Sequence, residues 1–223
     1  MSTYQQLKRA GNIKLHHKYD EGSITDFSGN GNSGLRQNGY LILPSGGYIY
    51  KSNQGVLVNA LSSLSFDFSW MDTGDMSAIT VESCPQENSI TTAYKVYLNI
   101  ITDKSSNALV WTGRRVLDKV DVYATDGMVV SSSNENSLIE PNGYCCRGFS
   151  WDRNGSLQHF LGTTYTISAG DYTTVSSIGT PSGLRINNGQ GSYANFGLCK
   201  QFLLFDKAIT FAEFTGLRTE LLK

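Results

Sequence analysis

The sequence predicts an all-β protein, a sandwich or barrel of short antiparallel strands, and three observations carry that expectation. Segments such as Leu64–Trp70 and Lys119–Tyr123 alternate apolar and polar residues, which is the period of a half-buried strand. Turn-forming residues recur between the apolar runs, at Asp126-Gly127, Pro141-Asn-Gly143, Asn154-Gly155 and Asn187-Asn-Gly189. Glycine supplies 23 of 223 residues while charged residues make up 17%, the balance of a globular chain rich in turns.

Taken in order, the chain opens on residues 3–10, where Ser2 or Thr3 can cap a short helix that Gly11 stops. Two turns of helix are not stable alone. Residues 1–18 are therefore read as an N-terminal arm, and residues 19–223 as the sandwich domain. Short strands are expected at Tyr40–Leu43 and Gly55–Val58. In Leu64–Trp70 the pattern puts Leu64, Phe66, Phe68 and Trp70 on one face and Ser65, Asp67 and Ser69 on the other. Further strands follow at 78–81, 94–101, 108–111, 119–123, 128–130, 143–151, 157–161, 165–167, 183–186 and 197–205. The C-terminus changes character: Thr210-Phe-Ala-Glu213 is a capping box. Phe211, Phe214, Leu217, Leu221 and Leu222 then recur at helical spacing, so a helix over 211–221 is expected to pack on the sandwich.

With 18 basic and 19 acidic residues the net charge is −1, which provides no field of one sign for a polyphosphate; nucleic acid is excluded as a partner. No apolar run approaches the roughly 20 residues that span a bilayer, so no membrane partner is expected. The first residues carry charge without the apolar stretch of a secretory signal. Cys84, Cys145, Cys146 and Cys199 include no C-x-x-C pair, and a zinc or redox site has little support.

Three segments resemble a known group. Asp26-Phe-Ser28-Gly29-Asn30-Gly31-Asn32-Ser-Gly34 is similar to a turn near the start of laminin-G-like, concanavalin A-like domains. Phe149–Leu161, with Asp152, Asn154, Gly155 and Ser156, resembles a hairpin of the same group, although the asparagine usual before Gly162 is missing. Phe196–Phe214 resembles its closing strand and helix. The resemblance implies a two-sheet antiparallel jelly-roll sandwich with a short C-terminal helix. It does not transfer a function, because this fold hosts lectins, glycosidases, adhesion modules and virion proteins.

The chemistry is sparse. Asp26, Asn30 and Asn32 could offer hard oxygens to Ca²⁺, but with one carboxylate among them the reading adopted is a self-bonded structural turn. No cofactor is expected. Gly29, Gly31 and Gly34 match the spacing of a dinucleotide fingerprint but lack its strand and helix. A glycoside hydrolase needs two carboxylates across the sugar. Here Asp118 and Asp121 are three apart on a strand, and Glu82 and Glu87 flank Pro85 in an expected loop. His16 and His17 point to opposite sides of any strand and cannot share an ion; they are read as solvated or half-buried. Tyr48, Tyr50, Trp111, Tyr144 and Tyr193 stand beside Gly, Asn, Ser or Arg and are the candidate sugar platforms, but tyrosine is also an ordinary strand and interface residue, and the reading adopted for them is core or protein interface.

The functional expectation is a non-enzymatic binding or structural module. The first reading is a virion component of a bacterial virus, assembled in the host cytoplasm. Its partners would be other virion proteins or a second copy, reached through Tyr4, Leu7, Lys8 and Arg9 of the arm, with a surface glycan as a further ligand. The alternative is a lectin-like carbohydrate-binding module, and the third reading a glycosidase.

Overall fold

A computed structural model describes residues 1–18, 26–30, 69–83, 95–105, 108–114, 117–124, 127–133, 144–167, 175–186 and 198–223, with the short strand segments 35–36, 41–42, 48–49 and 56–59. Among the described residues the strands are β1 (Ile13–Lys18), β2 (Leu35–Arg36), β3 (Leu41–Ile42), β4 (Tyr48–Ile49), β5 (Val56–Asn59), β6 (Met76–Ser83), β7 (Lys95–Thr102), β8 (Leu109–Arg114), β9 (Leu117–Ala124), β10 (Gly127–Ser133), β11 (Tyr144–Trp151), β12 (Leu157–Leu161), β13 (Thr164–Ile167), β14 (Pro181–Ile186) and β15 (Leu198–Phe205). Helices are α1 (Thr3–Arg9), α2 (Trp70–Thr73) and α3 (Phe211–Leu221). None of the described helices is long and apolar enough to cross a membrane.

The strands form two antiparallel sheets. One runs β13-β12-β11-β6-β15-β4-β3, and the other β10-β9-β8-β7-β14-β5-β2. β6 lines one edge of β15, while β1 and β4 share its other edge, β1 against Gln201–Phe205 and β4 against Leu198–Cys199.

The centre of the first sheet, at β6, β11 and β15, is buried on both faces, which explains why these strands read as unbroken apolar runs rather than alternating ones. In β15, Phe202 and Leu204 join Ala78, Phe149 and Trp151 in a core shared with Leu98, Ile100, Leu109, Trp111, Leu184 and Ile186 of the second sheet. Leu203 and Phe205 point the other way, into a second cluster with Ile79, Val81 and Phe160 that is closed by Leu7 of α1 and by Phe214 and Leu217 of α3. All four residues of Phe202–Phe205 are 0% exposed, and truncating any of these large side chains to alanine costs about 2–5 kcal/mol.

α3 occupies the span its sequence predicts. Thr210 Oγ1 accepts from Glu213 N at 3.2 Å and Glu213 Oε2 accepts from Thr210 N at 2.8 Å, completing the capping box. α1 is capped by Ser2, whose Oγ accepts from Gln5 N at 3.3 Å. Gly11, at φ +75°, lets the chain turn out of it.

Residues 1–18 are not an arm. β1 is a strand of the first sheet with Leu15 0% and Ile13 2% exposed, and α1 lies against α3. The apolar content of Leu7, Ile13 and Leu15 is spent on the chain's own core. Trp70 begins α2 instead of ending a strand; Leu64, Phe66 and Phe68 lie outside the described residues. Glu82 sits in β6 and not in a loop. His16 and His17 are both buried, at 2% and 0% exposure, because the sheet is covered on both sides.

Candidate binding site

The turn at Asp26 is held by its own hydrogen bonds. Asp26 Oδ1 accepts from His16 N at 3.0 Å and Ser28 N at 2.9 Å, and Oδ2 accepts from Ser28 Oγ at 2.7 Å. Asn30 Nδ2 donates to Ile13 O at 2.8 Å. The carboxylate and the amide thereby fasten residues 26–30 onto β1, with Asp26 itself buried. Asn32 lies outside the described residues. No cluster of three metal-ligating side chains occurs among the described residues.

The residues nominated for docking mostly serve the fold. Tyr4 Oη and His16 Nδ1 are 2.8 Å apart, Leu7 is 4% exposed, and Lys8 Nζ donates to Phe27 O at 2.8 Å. Arg9 is exposed at the end of α1. Leu7 is thus unavailable to a partner, since releasing it would open the cluster under α1.

The nominated aromatics divide. Trp111 is fully buried between the sheets, its ring 4.7 Å from that of Tyr97 and 5.3 Å from that of Phe149. It is a core residue and no platform. Tyr50 and Tyr193 lie outside the described residues. Tyr48 and Tyr144 come to the same end of the first sheet: Tyr144 is opposite Ser83, Ser83 opposite Leu198, and the neighbouring Cys199 opposite Tyr48. Tyr144 is half-buried, and Lys200 Nζ stands 3.7 Å from its ring centroid. An ammonium over a ring face is an attraction of about 0.5–1 kcal/mol at an exposed site. The pair brings a cation and a phenol together at this end of the sheet, chemistry that suits an anionic or polyhydroxylated ligand.

Two further charged clusters escaped the sequence reading. Arg147 Nε lies 3.2 Å from Glu82 Oε1, which also accepts from Tyr97 Oη at 3.0 Å. Arg147 is 2% and Glu82 4% exposed, so this pair is enclosed between the sheets. Arg153 donates from Nε to Gly74 O at 2.9 Å, from Nη2 to Met71 O at 2.7 Å and from Nη1 to Val175 O at 3.3 Å, and stacks 3.5 Å over the Trp151 ring. Burial pushes its pKa down to about 10, against the pull of Asp72 and Asp75, and it ties α2 and the segment at Val175 to the β11–β12 hairpin. A lone Arg inside the apolar strand Tyr144–Trp151 is the signal that could have pointed to the first cluster.

No family model matches the chain, and no curated protein matches it in sequence. Solved structures match its fold. The botulinum neurotoxin serotype D binding domain superposes with a TM-score of 0.71 at 9% identity, over 96% of this chain and 53% of that one. The binding domain of botulinum neurotoxin DC in complex with SialylT gives 0.71 at 9% identity, over 94% and 52%. A structure of botulinum neurotoxin type C, a toxin whose cell entry is described as dependent upon interaction with two ganglioside molecules, gives 0.71 at 10% identity, over 98% and 53%. The chain spans about half the length of these neighbours.

Proposed function

We propose that the chain is a non-enzymatic glycan-binding module of the concanavalin A-like, laminin-G-like jelly-roll kind, with the Tyr144–Lys200 corner as its contact surface. The observation that carries this reading is the fold shared over nearly all of the chain with toxin binding domains, one solved with SialylT and one described with gangliosides. Identity of 9–10% transfers no residue roles, so the corner is chosen on its own chemistry. Lys200 can meet the carboxylate of an acidic sugar, and Tyr144 can meet the apolar edge of a pyranose ring.

A role inside a viral particle, attached through residues 1–18, has less behind it, because those residues are built into the sheet and helix layer of the chain itself. A glycosidase role has less again: the carboxylate of Glu82 is buried and ion-paired with Arg147 between the sheets.

The test is a titration with sialylated and neutral oligosaccharides, followed by NMR shift changes while released sugar is assayed in the same samples. The reading expects saturable binding of the acidic oligosaccharides with no release of sugar. Flat titrations to millimolar concentration, or steady release of sugar, would overturn it.

A further inference from the structure

We propose that His16, acting through Gln201, positions Lys200 at the Tyr144–Lys200 corner, so that proton uptake by His16 weakens the binding of an acidic glycan there. The effect on a ligand rests on the glycan reading of that corner, whereas the link between His16 and Lys200 rests on geometry alone.

Lys200 reaches Tyr144 because β15 carries an extra residue. The register against β6 shifts between Cys199↔Glu82 and Gln201↔Val81, and Lys200 is the residue left over. Gln201 and Val81 lie on the outer side of the sheet, toward α1 and α3. Strict alternation would turn the neighbouring Lys200 inward, between the sheets. The bulge re-aims it. Its Nζ stands 3.7 Å from the ring centroid of Tyr144, which packs on the same outer cluster. The aim of Lys200 therefore depends on how Gln201, the next residue, is held.

Gln201 is held by a polarised chain of hydrogen bonds that joins α1, β1, β15 and α3. Its Nε2 donates to Leu221 O at 3.5 Å, which turns its Oε1 toward His16 Nε2, 3.0 Å away. His16 Nε2 then carries the ring hydrogen. Nδ1 is left as an acceptor for the Tyr4 hydroxyl, at 2.8 Å. Only the neutral ring fills both roles. Burial holds it neutral, with a pKa of about 4, against the Gln201 hydrogen bond and the carboxylate of Asp26; Lys18 and His17 of its own strand act with burial. From α1 the Lys8 ammonium stands 5.9 Å from the Tyr4 ring centroid.

A proton on Nδ1 removes the acceptor that Tyr4 uses and places a cation in a buried layer that already holds Lys8 and Lys18. The charged ring is better solvated outside, and as it withdraws Gln201 loses the donor on its Oε1. Lys200 then samples positions besides the one over Tyr144, and a ligand has to order it on binding.

NMR of the full chain without ligand tests the link. Between about pH 7 and about pH 3.5 the Lys200 Hε and Tyr144 ring signals should move with the midpoint read on the His16 ring, and His16→Gln should remove that movement. Tyr4→Phe keeps an aromatic ring in the outer cluster but deletes the hydrogen bond that favours neutral His16. The His16 midpoint should rise by about one pH unit, and the Lys200 and Tyr144 midpoints should rise with it. Titration of a sialylated oligosaccharide then reads the consequence. In the parent chain affinity should be about twofold lower at about pH 4, where half of the His16 rings are charged, than at about pH 7, and in Tyr4→Phe about tenfold lower. Lys200 and Tyr144 signals that stay flat through the His16 titration, or that ignore Tyr4→Phe, overturn the proposal. So does a glycan affinity that is the same at both pH values. Signals that track His16 in a chain that binds no oligosaccharide at either pH would uphold the link and overturn the glycan reading instead.

Discussion

Gly216 of α3 stands directly against Thr3 of α1: a Cβ added at Gly216 would collide with Thr3 Oγ1 and approach Thr3 Cβ to 3.0 Å. One turn further along α3, Glu220 Oε1 accepts from Thr3 N at 2.7 Å and satisfies an amide at the open N-terminus of α1. The crossing of the two helices thus depends on a missing side chain and a carboxylate in the same helix.

Gly216→Ala pits two effects against each other. Alanine gains about 1 kcal/mol of helix propensity over glycine. The collision with Thr3 costs about 1–3 kcal/mol, and it lands where α1 seals the outer cluster. A net loss of stability in urea titration is expected, and Thr3→Ala should recover part of it, so that the double variant is less destabilised than the sum of the two. Stabilisation by Gly216→Ala alone would show that the helices are not in this close contact.

Two buried histidines set an acid limit on stability. Burial pushes His159 down to about 4, and burial, opposed by the Gln201 hydrogen bond and by Asp26, pushes His16 to about 4 as well. Each is neutral when folded, and takes up a proton on unfolding once pH drops below about 6.5. The unfolded state then binds more protons, so stability falls as pH falls between about 6.5 and 4. The loss should reach on the order of 2–3 kcal/mol per histidine at the acid end. His16→Gln and His159→Gln should each flatten the pH profile of the unfolding free energy in this window by about one proton. A profile unchanged by both would mean that neither ring is buried as described.

Arg153 should be intolerant of truncation. Its side chain satisfies the carbonyls of Met71, Gly74 and Val175, and removing a partner from a buried acceptor costs about 1–3 kcal/mol. Arg153→Ala should lower the chemical-denaturation free energy by about 3 kcal/mol or more. Arg153→Lys should fall between, because one ammonium cannot reproduce the planar fork. An Arg153→Ala variant of unaltered stability would contradict the assigned hydrogen bonds.

What the sequence disclosed follows from local physics. The capping box at Thr210 and Glu213, the turn at Asp152–Ser156 and the apolar runs of β6, β11 and β15 depend on neighbours a few residues away, and each was legible. β1 was not. Ile13-Lys-Leu-His-His-Lys18 alternates poorly and becomes a strand because the edge of β15 lies open beside it, a long-range cause. The same holds for the site. Tyr144 could be nominated from its surroundings, but its meeting with Lys200 requires β6 to sit between β11 and β15. Trp111 is the core residue that its apolar run Ala108–Trp111 suggests, its indole buried between the sheets.

The central claim is that the Tyr144–Lys200 corner binds glycan, and calorimetric titration of a sialylated oligosaccharide into the full chain and two variants tests it most directly. Lys200→Ala and Tyr144→Ala should each weaken binding about tenfold or more, with the far-ultraviolet circular dichroism unchanged. An unaltered dissociation constant in both variants, or no heat of binding in the parent chain at millimolar ligand, would contradict the account.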